Sequence, residues 1–127
     1  MDLISYGSVS KDFKVMAQLK NLLTKIKQGE IKQFRLDCYP IPSKSIIESI
    51  TRKFEVLEIP MFENIEVFCP STNYPSHVDE GGTSYFIALE NGFFLIENVN
   101  YPIVPFVLYS FEDSKLHNTN FGAIMLK

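Results

Sequence analysis

The chain has 127 residues, of which 46% are hydrophobic, enough for one compact domain with a real core. Lys+Arg 12 against Asp+Glu 15 gives a formal net charge of -3, which argues against a nucleic-acid reader built on a broad basic field and leaves only a local groove open to that use. Two cysteines without Cys-x-x-Cys spacing, Cys38 and Cys69, argue against disulfides and zinc fingers and for a reducing, cytoplasmic setting, and neither a signal-peptide run nor a membrane-length apolar segment occurs.

In chain order, "DFKVMAQLKNLLTKIKQGE" predicts a helix. Val15, Met16, Leu19, Leu22, Leu23 and Ile26 recur at helical spacing, the lysines between them form a solvated face, and Gly29 ends the segment. "IKQFRLDC" alternates as a strand does, with Phe34, Leu36 and Cys38 on one face, and "YPIPSKS" interrupts it with two prolines. "SKSIIESITRKF" predicts a second helix, with Ser45 and Glu48 at capping-box spacing and Ile46, Ile47, Ile50 and Phe54 as its buried stripe.

From residue 55 the character changes. "FEVLEIPMF", "IEVFCPS", "TSYFIAL", "GFFLIENV", "VPFVLYSF" and "FGAIML" are short runs rich in aromatic and β-branched residues, and turn-like "ENGF", "VNYP", "EDSK" and "NTN" separate several of them. Short strands at such spacing predict a sandwich or barrel. The expected fold is therefore α+β and mostly strand: one domain over 1–127, with 1–54 a helical support region containing one strand, and 55–127 a two-layer or jelly-roll core with the helices on one outer face. The aromatic set Phe86, Phe93, Phe94, Phe106 and Phe111 is expected to fill that core rather than to form a substrate platform.

The chemistry concentrates in "SHVDEGG" and "KLHNTN", which contain both histidines of the chain. His77 and Asp79 are two apart, so in or just beyond a strand they share a face, whereas Glu80 points away. His117 follows a strand-like run forty residues later and can meet them in a sandwich or barrel. Two imidazoles and one carboxylate on one side of an ion suit a non-haem Fe(II) centre, and zinc could use the same residues with a water as fourth ligand. Asp113, on the approach to His117, is an outside candidate for the carboxylate. The bland alternative is a plain turn in each case, with Gly81 and Gly82 supplying unusual backbone angles after Asp79.

On these residues the chain resembles the Fe(II)- and 2-oxoglutarate-dependent dioxygenase superfamily, whose double-stranded β-helix, a jelly-roll core, carries a His-x-Asp pair and a distal histidine. The resemblance spans residues 60 to 127. It implies Fe(II) held by His77, Asp79 and His117, and 2-oxoglutarate as cosubstrate. A basic residue about ten positions beyond the distal histidine binds the far carboxylate in that superfamily. Lys127 stands there, as lysine does in prolyl-hydroxylase-like members, and its own terminal carboxylate would partly neutralise it. Tyr85, and next Thr83 on the same face, are the hydroxyls expected to help hold the cosubstrate, with Asn73 and Tyr74 at the pocket entrance.

The implied activity is hydroxylation of a C–H bond in a protein side chain or small molecule. The chain is short for the superfamily, so a partner subunit or a C-terminal extension is expected to supply the substrate-binding surface, and a homo-oligomer is a further possibility. Two other classes fit the same residues: a non-catalytic jelly-roll module for assembly or protein binding, and a cupin-like metal enzyme that needs no 2-oxoglutarate.

Overall fold

A computed structural model describes residues 2–8, 14–29, 38–40, 65–69, 76–79 and 81–126. Ten elements follow one another: β1 (Leu3–Ser8), α1 (Lys14–Lys27), β2 (Cys38–Pro40), β3 (Ile65–Phe68), β4 (Thr83–Ala88), β5 (Gly92–Ile96), β6 (Val99–Ile103), β7 (Val107–Glu112), β8 (His117–Thr119) and β9 (Ala123–Leu126). The strands form a six-stranded sheet in the order β1-β7-β4-β9-β3-β2 and a three-stranded sheet in the order β6-β5-β8. Every pairing is antiparallel.

Alternation along the strands divides the apolar residues between two layers. On one face of the large sheet, Ile87, Leu89, Leu108, Ile124 and Leu126 pack with Leu19, Leu23 and Ile26 of α1. On the other face, Phe86, Ala88, Tyr109, Phe111 and Ala123 meet Phe94, Ile96 and Ile103 of the small sheet. The architecture is thus helix, large sheet, small sheet, which is the expected α+β class. Aromatic rings dominate the inter-sheet layer: Phe86 stacks on Phe94 at 5.0 Å between centroids and on Tyr109 at 5.3 Å. Such offset pairs add to the large apolar area that each ring buries.

The predicted first helix forms, with Leu19, Leu23 and Ile26 buried and Lys20, Lys25 and Lys27 exposed. Lys25 and Lys27 lie in its last turn, where positive charge complements the helix dipole. Gly29 ends it at φ 76°, a backbone conformation favourable to glycine. Lys27 reaches across to Glu90 at 2.5 Å, and the other oxygen of Glu90 accepts from the Gly122 N–H. α1 is thereby tied to the loops that precede β5 and β9. The second predicted helix and the strand "FEVLEIPMF" lie outside the described residues, as does the strand segment before Cys38.

Three elements depart from the expectations. β1, where the sequence predicts no element, is the edge of the large sheet; its bulge, where Ser5↔Tyr109 shifts to Ser8↔Val107, coincides with Gly7 at φ 100°. β2 continues through Tyr39 into Pro40, so the chain does not leave the sheet at the first proline. "VNYP" is not a turn but the start of β6. The turn is Glu97–Asn98, whose φ values of 47° and 66° make the mirror-image geometry of a tight hairpin between Ile96 and Val99. Consequently β1 and β2, both before residue 55, complete the sheet that 55–127 was expected to supply alone.

Of the aromatic set, Phe86, Phe94 and Phe111 are buried and Phe106 is half-buried, but Phe93 points outward and is 54% exposed. No disulfide occurs among the described residues, where Cys69 is a free thiol whose pKa burial raises. None of the described helices is long and apolar enough to cross a membrane.

Candidate metal centre

The two histidines are neighbours through the backbone before they are neighbours through their rings. His77 and His117 form an antiparallel bridge in which each N–H donates to the other's carbonyl, at 3.0 and 2.9 Å. His117 opens β8 and pairs on its other side with Ile96 of β5. "LHNTN" is therefore a strand, with His117 and Thr119 turned into the protein and Asn118 between them. The run after His77 is held as well: Asp79 N–H donates to the Asp113 carbonyl at 2.9 Å, and Asp113 N–H donates to the Gly82 carbonyl at 3.0 Å. Gly82 turns the chain into β4 at φ 139°, and Gly81 needs no positive φ.

These pairings bring three side chains to one point. Asp79 Oδ2 lies 3.3 Å from His117 Nε2 and 3.6 Å from His77 Nε2, and the three ligand atoms all fall within 4.8 Å of one another. With metal–ligand bonds of about 2.1 Å, adjacent ligands on an octahedral ion stand about 3.0 Å apart and those on a tetrahedral ion about 3.4 Å. Both measured carboxylate–imidazole separations sit within a few tenths of an ångström of the tetrahedral value. This is the donor set and spacing of two-His, one-carboxylate metal sites in general.

The protonation of His117 follows from its partner. Its Nδ1 lies 2.7 Å from the Lys115 carbonyl. A carbonyl only accepts, so Nδ1 carries a proton, which leaves Nε2, the nitrogen beside Asp79, as the one that could bind an ion. Hydrogen bonding of the far ring nitrogen to a carbonyl also fixes the ring orientation, as is usual for metal-ligating histidines.

Packing fixes the ring further. His117 is 3% exposed, with Phe111 at 4.7 Å between centroids and Phe94 parallel to it at 6.0 Å. The His77 ring meets it edge-on at 4.4 Å. Asp79 is 41% exposed, so the site is closed at His117 and open at Asp79. Asp113, the outside candidate for a ligand, acts through its backbone; its side chain is buried and stands outside the group of three.

Tyr85 and Thr83 are not brought to the centre. They share parity with Ile87 and Leu89, which face α1, whereas His117 belongs with the opposite, inter-sheet layer. Tyr85 instead packs against Tyr6 at 5.8 Å between centroids, and the Tyr6 hydroxyl bonds the Ser110 hydroxyl at 2.8 Å. Burial and the neighbouring Tyr6 raise the Tyr85 pKa. Thr83 bonds Glu112 at 3.4 Å, and both residues line a separate groove of about 240 Å³ near Asp2 and Lys115. Strand alternation thus places both residues, expected to help hold the cosubstrate, on the side of the sheet opposite the triad. Lys127, Glu80, Asn73 and Tyr74 lie outside the described residues.

The polar residue on β4 that shares the face of Phe86 and Ala88 is Ser84, fully buried, with a hydroxyl that has no hydrogen-bond partner. "TSYFIAL" contains the signal for it: if Phe86 faces the aromatic layer, Ser84 does too, a polar residue at a core position. No protein-family model, curated protein or solved structure matches this chain.

Proposed function

We propose that the chain is a mononuclear non-haem metal enzyme with His77, Asp79 and His117 as the protein ligands of a divalent transition metal. The observation that carries this is the convergence of three donor atoms within 4.8 Å of one another, on segments tied together by backbone hydrogen bonds. Taken alone, the three ligands support the cupin-like reading, a metal enzyme that needs no cosubstrate. Two nitrogens and one carboxylate oxygen favour Fe(II) or zinc over the all-oxygen sites of magnesium and calcium.

A more specific reading, an Fe(II)- and 2-oxoglutarate-dependent oxygenase, is favoured by the order of strand pairing. β5 pairs with β6, β4 with β7, the His77 bridge with β8, and β3 with β9. These pairs nest inside one another as in a single long hairpin. The cross-pairs β4·β9 and β5·β8 then roll that hairpin into two stacked sheets. Nested pairs rolled in this way are what a jelly roll would require, and they favour the reading in which the His-x-Asp pair and the distal histidine lie on neighbouring strands of one. On this reading Fe(II) with 2-oxoglutarate and O₂ supplies the oxidation, releasing CO₂ and succinate and placing one oxygen atom in a substrate C–H bond. His77, Asp79 and His117 would hold the ion, Phe94 and Phe111 beside His117 would exclude water behind it, and Lys127 would be the residue to take the far carboxylate.

Anaerobic titration of the protein with Fe(II), followed by 2-oxoglutarate, separates the readings. Fe(II) binding that is lost in His77→Ala is expected. A weak charge-transfer absorption on adding 2-oxoglutarate selects the oxygenase, and metal binding without that band selects the cosubstrate-free enzyme. Absence of affinity for both Fe(II) and Zn(II) would sink the metal-enzyme reading and leave a non-catalytic module.

A further inference from the structure

We infer that the groove between β1, β7 and β4 is a binding site for a small organic cation, an ammonium or guanidinium group on a short carbon chain, with Glu112 as its anionic partner. The site is separate from the metal centre. Its side chains stand on the face of the large sheet that packs against α1, across the sheet from the layer in which the His117 ring packs.

The groove arises where that face changes character. Ile87 and Leu108 pair across β4 and β7 and lie in the apolar layer with α1. Farther along the same face come the pairs Tyr85↔Ser110 and Thr83↔Glu112, with Ile4 of β1 beside Ser110. Tyr6, also of β1, adds a second ring, 5.8 Å from that of Tyr85 between centroids and tilted by 41°. The cavity among them holds about 240 Å³, short of the roughly 300–1,000 Å³ of sites for drug-sized ligands, so its occupant is small.

Two properties of the lining select a cation. The first is charge. The carboxylates of Asp2 and Glu112 oppose the single ammonium of Lys115, which hydrogen-bonds Asp2. The charge left over is that of Glu112, which receives only a long hydrogen bond from the Thr83 hydroxyl, at 3.4 Å. The second is the balance of donors and acceptors. The Tyr85 hydroxyl is linked to Tyr6, and Tyr6 to the buried Ser110 hydroxyl at 2.8 Å. Each link in such a run uses one proton and one lone pair, and a hydroxyl has one proton but two lone pairs, so mostly acceptors remain for a ligand. A donor-rich cation satisfies both properties, and the Tyr6 and Tyr85 rings offer it π faces. An anion satisfies neither, and a neutral polyol leaves the Glu112 charge unmatched.

The test titrates agmatine, which carries a guanidinium and an ammonium at the two ends of a short carbon chain, into the metal-free protein and follows the amide signals by NMR. Saturable shifts centred on Ile4, Thr83, Ser110 and Glu112 are expected, and sorbitol, a neutral polyol, should give none. Glu112→Gln, at an exposed position, should weaken agmatine binding by about tenfold to a hundredfold through loss of a charge-assisted hydrogen bond, with Fe(II) affinity unchanged. Nα-acetyl-arginine amide, titrated alongside, distinguishes the source of the cation: tighter binding than agmatine assigns the groove to an arginine side chain of a peptide, weaker binding to a free small molecule. Absence of saturable shifts, unchanged agmatine affinity in Glu112→Gln, equal binding of sorbitol, or shifts centred on His77, Asp79 and His117 would each overturn the inference. The metal-enzyme reading is untouched by any of these outcomes, because the protein is titrated without metal.

Discussion

The ligand role of Asp79 can be tested through stability, without knowing the substrate. A ligand that binds only the folded protein stabilises it by RT ln(1 + [L]/Kd), about 2.7 kcal/mol at a hundred times Kd. For 127 residues the entropy of unfolding is about 0.27 kcal/mol/K near the melting temperature, so saturating Fe(II) or Zn(II) should raise Tm by about 10 °C. Removing the one anionic ligand should cost more than the ten- to hundredfold typical of residues behind the ligands. At the same metal concentration Asp79→Ala is then at or below its own Kd, and the shift shrinks to about 1.5 °C or less. The metal-free variant should melt within a few degrees of wild type, since the Asp79 side chain is 41% exposed and the segment is held by its backbone bond to Asp113. Differential scanning fluorimetry with and without metal reads both quantities. A variant that keeps most of the metal-induced shift would refute Asp79 as a ligand. One that unfolds without metal would refute the claim that the backbone, rather than the carboxylate, holds the site in place.

Gly122→Ala should destabilise the fold by about 1–3 kcal/mol, because a Cβ there would fall 2.6 Å from Leu23 Cδ1 and 3.0 Å from Glu90 Oε2; chemical denaturation with an unchanged m-value checks it. Tyr85→Phe and Thr83→Ala should leave metal and 2-oxo-acid affinities unchanged, since both side chains lie across the sheet from the triad; a tenfold loss in either would restore them to the site. The Asp2–Lys115 pair should make docking of β1 depend on pH at both extremes. Hydrogen bonding from Lys115 lowers the Asp2 pKa, so its contribution is complete at neutral pH and lost as pH falls through that lowered value; hydrogen bonding to Asp2 raises the Lys115 pKa, so the contribution is lost again as pH rises through it. Amide exchange in Leu3–Ser8 should be slowest between those limits.

The sequence made the centre legible because its chemistry is concentrated in few residues. A chain with two histidines offers one pairing, and two-residue spacing commits His77 and Asp79 to one side of an extended segment whatever the fold. The strands with strong period-two patterns were legible for a similar reason: Phe86 and Ile87, or Ala123 and Ile124, must be sorted onto opposite faces. Which face meets which partner is a tertiary fact. "TSYFIAL" offers Thr83 and Tyr85 on one side and Ser84 and Phe86 on the other, and either set could face a metal until α1 is known to cover the first. The hairpin at Glu97–Asn98 was hidden because its turn lacks glycine: two residues at positive φ carry no composition signal when one of them is glutamate. β1 was hidden because its register depends on an aromatic partner strand a hundred residues away.

That distance bears on how the centre is built. His77 and His117 come from the two arms of the nested hairpin, with β4 through β7 between them in the chain. Loop closure over forty residues costs entropy that grows slowly with length, and the ladders β5·β6 and β4·β7 inside that loop offset the cost. The bridge then sets the histidine backbones in a hydrogen-bonded pair whose Cα separation is about 5.5 Å whether or not an ion is bound. A metal entering such a site gains its full ligand set without ordering the chain around it. The energy of binding is then available for holding a second ligand on the open side, at Asp79, which is where a substrate or cosubstrate would have to approach.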